Sequence, residues 1–112
     1  VLKHRIGLAK SLGLSSLVEA HSEEEIQAAI DAGAEIIGVN NRNLKDFSVD
    51  VSLSAKFRKE VPENILFVAE SGIKTVQQVR DLESDGVNAV LVGETLMRAS
   101  DRVKAVRDFC GR

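Results

Sequence analysis

The 112 residues carry 15 Lys+Arg against 17 Asp+Glu, a formal net charge of −2, so no positive surplus exists to neutralise phosphates and no nucleic-acid partner is expected. Hydrophobic residues make up 44% and charged residues 29%, a globular composition with enough chain for one core but not two. Apolar runs such as Ala89 to Val92 fall far short of the ~20 residues of a membrane span, no signal-like segment opens the chain, and Cys110 with His4 and His21 offers neither a disulfide nor zinc spacing; a cytoplasmic protein without a metal site is expected.

From Leu2, Ile6 and Ala9 recur at helical spacing and Gly13 stops the run. Leu17 to Ala20 reads as a strand, followed by Ser22 and Glu25 in capping-box spacing ahead of a helix with Ile26, Ala29 and Ile30 on one face and Gly33 at its end. Ile36 to Val39 reads as a buried strand. The polar stretch from Asn40 to Val49 follows neither period and is expected to be a loop, longer than most connections in compact domains. Leu53, Phe57 and Val61 mark a helix that Pro62 ends, and Ile65 to Ala69 is the next strand. Thr75 and Gln78 form a second capping box before Val76, Val79 and Leu82, with Gly86 closing that helix. Ala89 to Val92 is the fourth strand, a short helix starts near Thr95, and Asp101 caps a closing helix marked by Val103, Val106 and Cys110.

Ser22 and Thr75, Gly33 and Gly86, and Asn40 and Gly93 are each 53 residues apart, so the chain is internally repeated. Strands this continuously apolar have no wet face, which predicts a parallel α/β sheet of four βα units covered by helices. All strands of a parallel sheet end at one edge, where Glu19, Asn40, Glu70 and Gly93 then meet. Two carboxylates against an apolar surface suit proton transfer, and the N–H groups of Gly72, Gly93 and Glu94 suit a phosphate. Polar strand ends without a role, and glycines that merely permit tight turns, are the blander alternatives.

The strings Leu17-Val18-Glu19-Ala20-His21, Ile36-Ile37-Gly38-Val39-Asn40-Asn41-Arg42-Asn43-Leu44, Val68-Ala69-Glu70-Ser71-Gly72-Ile73 and Leu91-Val92-Gly93-Glu94-Thr95-Leu96-Met97 closely resemble strands five to eight of the indole-3-glycerol phosphate synthases. The resemblance implies the C-terminal half of a TIM (β/α)8 barrel, with residues 1–112 a (β/α)4 piece of a domain of about 250 residues. It implies ring closure of 1-(2-carboxyphenylamino)-1-deoxyribulose 5-phosphate with loss of carbon dioxide and water, and no cofactor. Glu19, Asn40 and Glu70 then match catalytic positions, Arg42 and Ser71 substrate-binding positions, and Gly72, Gly93 and Glu94 the phosphate cradle. The family's catalytic lysines lie in the first half, which this chain lacks, so the chain alone is expected to be inactive. Its partner is expected to be the missing N-terminal half or a second copy. A non-catalytic phosphate-binding or self-associating scaffold, and a flavodoxin-like open sheet, are the competing readings. The strand residues Val18, Ile37, Val39, Val68, Val90 and Val92 are expected to include the face left open.

Overall fold

A computed structural model describes residues 1–111. Its elements in chain order are α1 (Leu2–Ser11), β1 (Val18–Ala20), α2 (Glu23–Asp31), β2 (Ile36–Asn40), α3 (Ser52–Arg58), β3 (Leu66–Glu70), α4 (Val76–Ser84), β4 (Ala89–Leu91), α5 (Glu94–Arg98) and α6 (Arg102–Phe109). Of the two expected capping boxes only the second is reciprocal, because the Glu25 side chain accepts from His21 N rather than Ser22 N. Ser22 accepts from the Glu25 N–H at 3.1 Å, while Thr75 and Gln78 close a reciprocal box. Gly33 and Gly86, at φ +88 and +89, turn the chain out of α2 and α4 in the left-handed region open to glycine. The 53-residue repeat is therefore a repeat of the helix-to-strand unit.

The four strands pair in parallel in the order β1-β2-β3-β4. Each crossover steps to the next strand in the same direction, and right-handed crossovers of this kind put the connecting helices α2, α3 and α4 on one face. A flavodoxin-like sheet reverses direction and is covered on both faces, so the strand order excludes it. The four βα units are the C-terminal half of a (β/α)8 barrel. No helix among the described residues is long and apolar enough to cross a membrane.

Neighbouring residues in the register share a face. Ala20, Val39 and Ala69 lie level, as do Ile37 and Phe67, and all five are wholly buried beneath the helices with Ile26, Ala29 and Leu82. The opposite face carries Leu17, Leu66 and Leu91, which are 45%, 49% and 56% exposed. This corrects the expectation for the open face. Of the six strand residues expected there, Val68 alone has the right parity; Ile37 and Val39 belong to the covered core. Uniformly apolar strands conceal which side is which, because both sets of alternate positions look alike.

Two helices differ from their predicted form. α3 ends at Arg58 rather than running to Val61: Glu60 N and Val61 N donate three residues back, to Phe57 O and Arg58 O, in a tightened turn before Pro62, and the Arg58 side chain is buried. Its Nε donates to Gly86 O at 2.8 Å and its Nη1 reaches Val61 O and Pro62 O, with the guanidinium over the Phe67 ring. In α6, Asp101 caps as expected, but Val103 and Val106 face solvent while Phe109 packs on the core.

Candidate active site

The carboxyl ends of the strands surround an open cavity of about 910 Å³ whose lining includes Glu19, Asn40, Arg42, Glu70, Ser71, Gly72, Gly93 and Glu94. Every residue singled out from the sequence thus meets at one mouth, as a parallel sheet requires. Asn40, Glu70 and Leu91 are level in the register, and Glu19 lies one layer deeper. Glu19 is exposed to the cavity, whereas Glu70 is only 3% exposed.

Burial holds the Glu70 carboxyl above its ordinary value, up to about 7, and the Glu19 carboxyl beside it pushes in the same direction. The sign of the linkage follows. The folded chain keeps the Glu70 proton above the ordinary value of 4.5, at which an unfolded chain releases it. The contribution of this group to stability is fully present below that value and is lost as pH rises through about 7. Urea unfolding of the chain is expected to show stability falling by on the order of 1–3 kcal/mol between pH 4.5 and pH 8, and Glu70→Gln is expected to remove that slope. A slope unchanged by Glu70→Gln would assign it to another group.

The mouth is organised by a residue that sequence reasoning passed over. Asn41, 2% exposed, donates from Nδ2 to Ser71 O at 3.0 Å. Its Oδ1 accepts from Ser54 Oγ at 2.7 Å and Ser54 N at 3.2 Å, while its own N–H donates to Glu70 O at 2.8 Å. One amide therefore fixes the end of β3, the loop after β2 and the buried side of α3. The asparagine-rich string contained the signal, but nothing in it distinguished Asn41 from Asn40. Asn40 turns back on its own loop, accepting from Arg42 N at 2.9 Å.

That loop is closed by an isolated bridge between Arg42 and Val49 and leans on the turn after β3. Ser71 and Gly72 both have positive φ, +67 and +74, and a methyl group on Gly72 would collide with the Val49 side chain. Gly72 is thus required twice, by its backbone and by the approach of Val49. Gly93 is different. Its φ is −121 and the space beside its Cα is open, so neither strain nor packing demands glycine there. Thr95 links the two turns, donating from its hydroxyl to Ile73 O at 2.7 Å. The Glu94 side chain, expected only as a backbone contact, bridges Arg42 Nη2 at 3.4 Å and Arg98 Nε at 3.2 Å. Arg42 Nε is buried and has no hydrogen-bond partner among the described residues.

Residues 2–109 match the family model described as indole-3-glycerol phosphate synthase. The indole-3-glycerol phosphate synthase of Leuconostoc mesenteroides is 54% identical over 110 residues, covering 98% of this chain and 42% of the relative. That of Ruminiclostridium cellulolyticum is 56% identical over 100 residues, 89% of this chain and 38% of the relative. The chain therefore spans about two fifths of the length of these relatives. Among solved structures, a thiamine phosphate pyrophosphorylase from Pyrococcus furiosus superposes with a TM-score of 0.77 at 24% identity, over 99% of this chain and 53% of that one. A chain of the Amycolatopsis orientalis BexX/CysO complex does so with a TM-score of 0.72 at 17% identity, over 96% of this chain and 45% of that one. Those two likenesses concern the fold, whereas the close relatives and the family model identify the sequence: the chain belongs to the indole-3-glycerol phosphate synthase family.

Proposed function

We propose that residues 1–112 form the second half of a (β/α)8 domain of about 250 residues that works in the cytoplasm as an indole-3-glycerol phosphate synthase, a carbon–carbon lyase. The substrate is 1-(2-carboxyphenylamino)-1-deoxyribulose 5-phosphate. The aryl carbon that bears the carboxylate joins the ketone carbon, carbon dioxide leaves that position, and the former ketone oxygen departs as water. Dehydration needs a proton moved to the departing hydroxyl, and Glu19, exposed at the cavity, is the group assigned to that acid/base step. Glu70 is the buried partner that tunes it, and Asn40 orients substrate polar groups. Arg42 and Ser71 bind the substrate, with the partly exposed Arg42 guanidinium suited to its carboxylate. Gly72, Gly93 and Glu94 offer backbone donors to the phosphate, held in relation to each other by Thr95.

The observation that carries this reading is the convergence of Glu19, Asn40 and Glu70, from three different strands, on the cavity that Gly72 and Gly93 also line. By the family resemblance the general-acid lysine belongs to the first half of the barrel. A complete barrel made by joining this chain to the first half of the Leuconostoc mesenteroides relative is therefore expected to form indole-3-glycerol phosphate, detected by indole absorbance, and the chain alone is expected to form none. Turnover by the chain alone, abolished by Glu19→Gln, would overturn that division of labour.

A second reading, a non-catalytic phosphate-binding or self-associating half-barrel, is favoured by one observation. Leu17, Leu66 and Leu91 stand exposed on the uncovered face, and β1 and β4 each have a free edge. A missing half or a second copy would cover them. The scaffold reading predicts no turnover in the complete barrel, so the same assay separates the two.

A further inference from the structure

A glycine in the interior of a strand weakens it, since it contributes no side chain to pack and has the most freedom to lose. Gly38 stands in the middle of β2, and its backbone is not in the left-handed region, so conformation does not explain it. Space does. A Cβ there would lie 2.8 Å from Glu70 Oε2, 3.3 Å from Glu70 Cδ and 3.2 Å from Leu17 Cδ1.

The register gives this crowding a direction. Gly38 is level with Glu19 on β1, and Glu70 on β3 is level with Asn40, two residues further along β2. Glu70 therefore lies diagonally over the position where a residue-38 side chain would stand, on the way to Glu19. Its Oε2 is buried and has no hydrogen-bond partner among the described residues. A proton on one of the two carboxyls supplies the partner, with the O–H of one donating to an oxygen of the other and no further reactant needed.

We infer that Gly38 is a positioning residue, its absent side chain forming the slot through which Glu70 reaches across β2 to share a proton with Glu19. This rests on the reading of the site as a proton-transfer centre, in which the shared proton is held ready for the group exposed to substrate. Among the groups facing Glu70, β1 supplies Glu19, β2 supplies the non-titrating Gly38 and Asn40, and β4 supplies Leu91. Arg42 and Lys74 line the same cavity from the loops, Glu94 and Arg98 line it from α5, and Arg42 is engaged by Glu94.

The clash created by Gly38→Ala is with the movable ends of two side chains, so the fold can absorb it while the Glu70 carboxyl cannot stay in place. In a complete barrel carrying this chain, Gly38→Ala is expected to lower kcat/KM on the order of 10²-fold. The Glu70 titration, followed by carboxyl carbon NMR, is expected to move from about 7 toward the ordinary glutamate range. Glu19→Gln is expected to lower the Glu70 midpoint when residue 38 is glycine and to have no effect on it when residue 38 is alanine. Should Gly38→Ala fail to fold, Leu17→Ala combined with it removes the second contact and permits the same measurements. An unchanged Glu70 midpoint in the alanine variant, or an equal effect of Glu19→Gln in both backgrounds, overturns the inference. If the wild-type barrel forms no indole-3-glycerol phosphate, the proposed function fails while the titrations still decide the role of Gly38.

Discussion

Glu19→Gln in a complete barrel carrying this chain is expected to lower kcat by about 10²–10⁴-fold with KM little changed. Glutamine keeps the size of the side chain and much of its hydrogen bonding, but it cannot take up and release a proton near neutral pH. Both carboxyls line the cavity, but Glu19 is exposed there whereas Glu70 is only 3% exposed. Steady-state kinetics of indole-3-glycerol phosphate formation separate the roles. A raised KM with intact kcat would mean that Glu19 only binds substrate.

The largest effect on stability is expected at Asn41. Asn41→Ala removes the donor to Ser71 O and the acceptor of both Ser54 groups, leaving polar atoms at a buried site without their partners. A loss of about 2–4 kcal/mol is expected from urea unfolding of the chain. Asn40→Ala, which removes one bond within its own loop, is expected to cost at most about 1 kcal/mol. Equal costs for the two would mean that Asn41 does not tie the mouth together.

The contrast between these adjacent asparagines marks where the sequence stops being informative. The order of helices and parallel strands was legible, because caps, glycine ends and apolar runs are local signals. So was the meeting of Glu19, Asn40 and Glu70, because parallel strands share an edge. Long-range partners were not. The buried Arg58 guanidinium finds its acceptor at Gly86 O, 28 residues away. Glu94 meets Arg42 across 52 residues. The parity of the open face was equally hidden, since Leu66 and Phe67 are adjacent, both apolar and both good strand residues, yet they point to opposite sides.

The consecutive strand order also bears on how the chain folds during synthesis. Each strand pairs with the one made just before it, as in Val18 with Ile37, Ile36 with Leu66 and Val68 with Ala89. Among these four strands no pairing has to wait for a distant segment, so loop-closure entropy stays low and this part of the sheet can grow one βα unit at a time as the ribosome releases it. Such growth leaves the newest strand as an unpaired template at every stage. β4, the latest of the four, has an edge left unpaired among the described residues that only another chain segment can close, which makes that edge the point where this otherwise local folding route is exposed to mispairing.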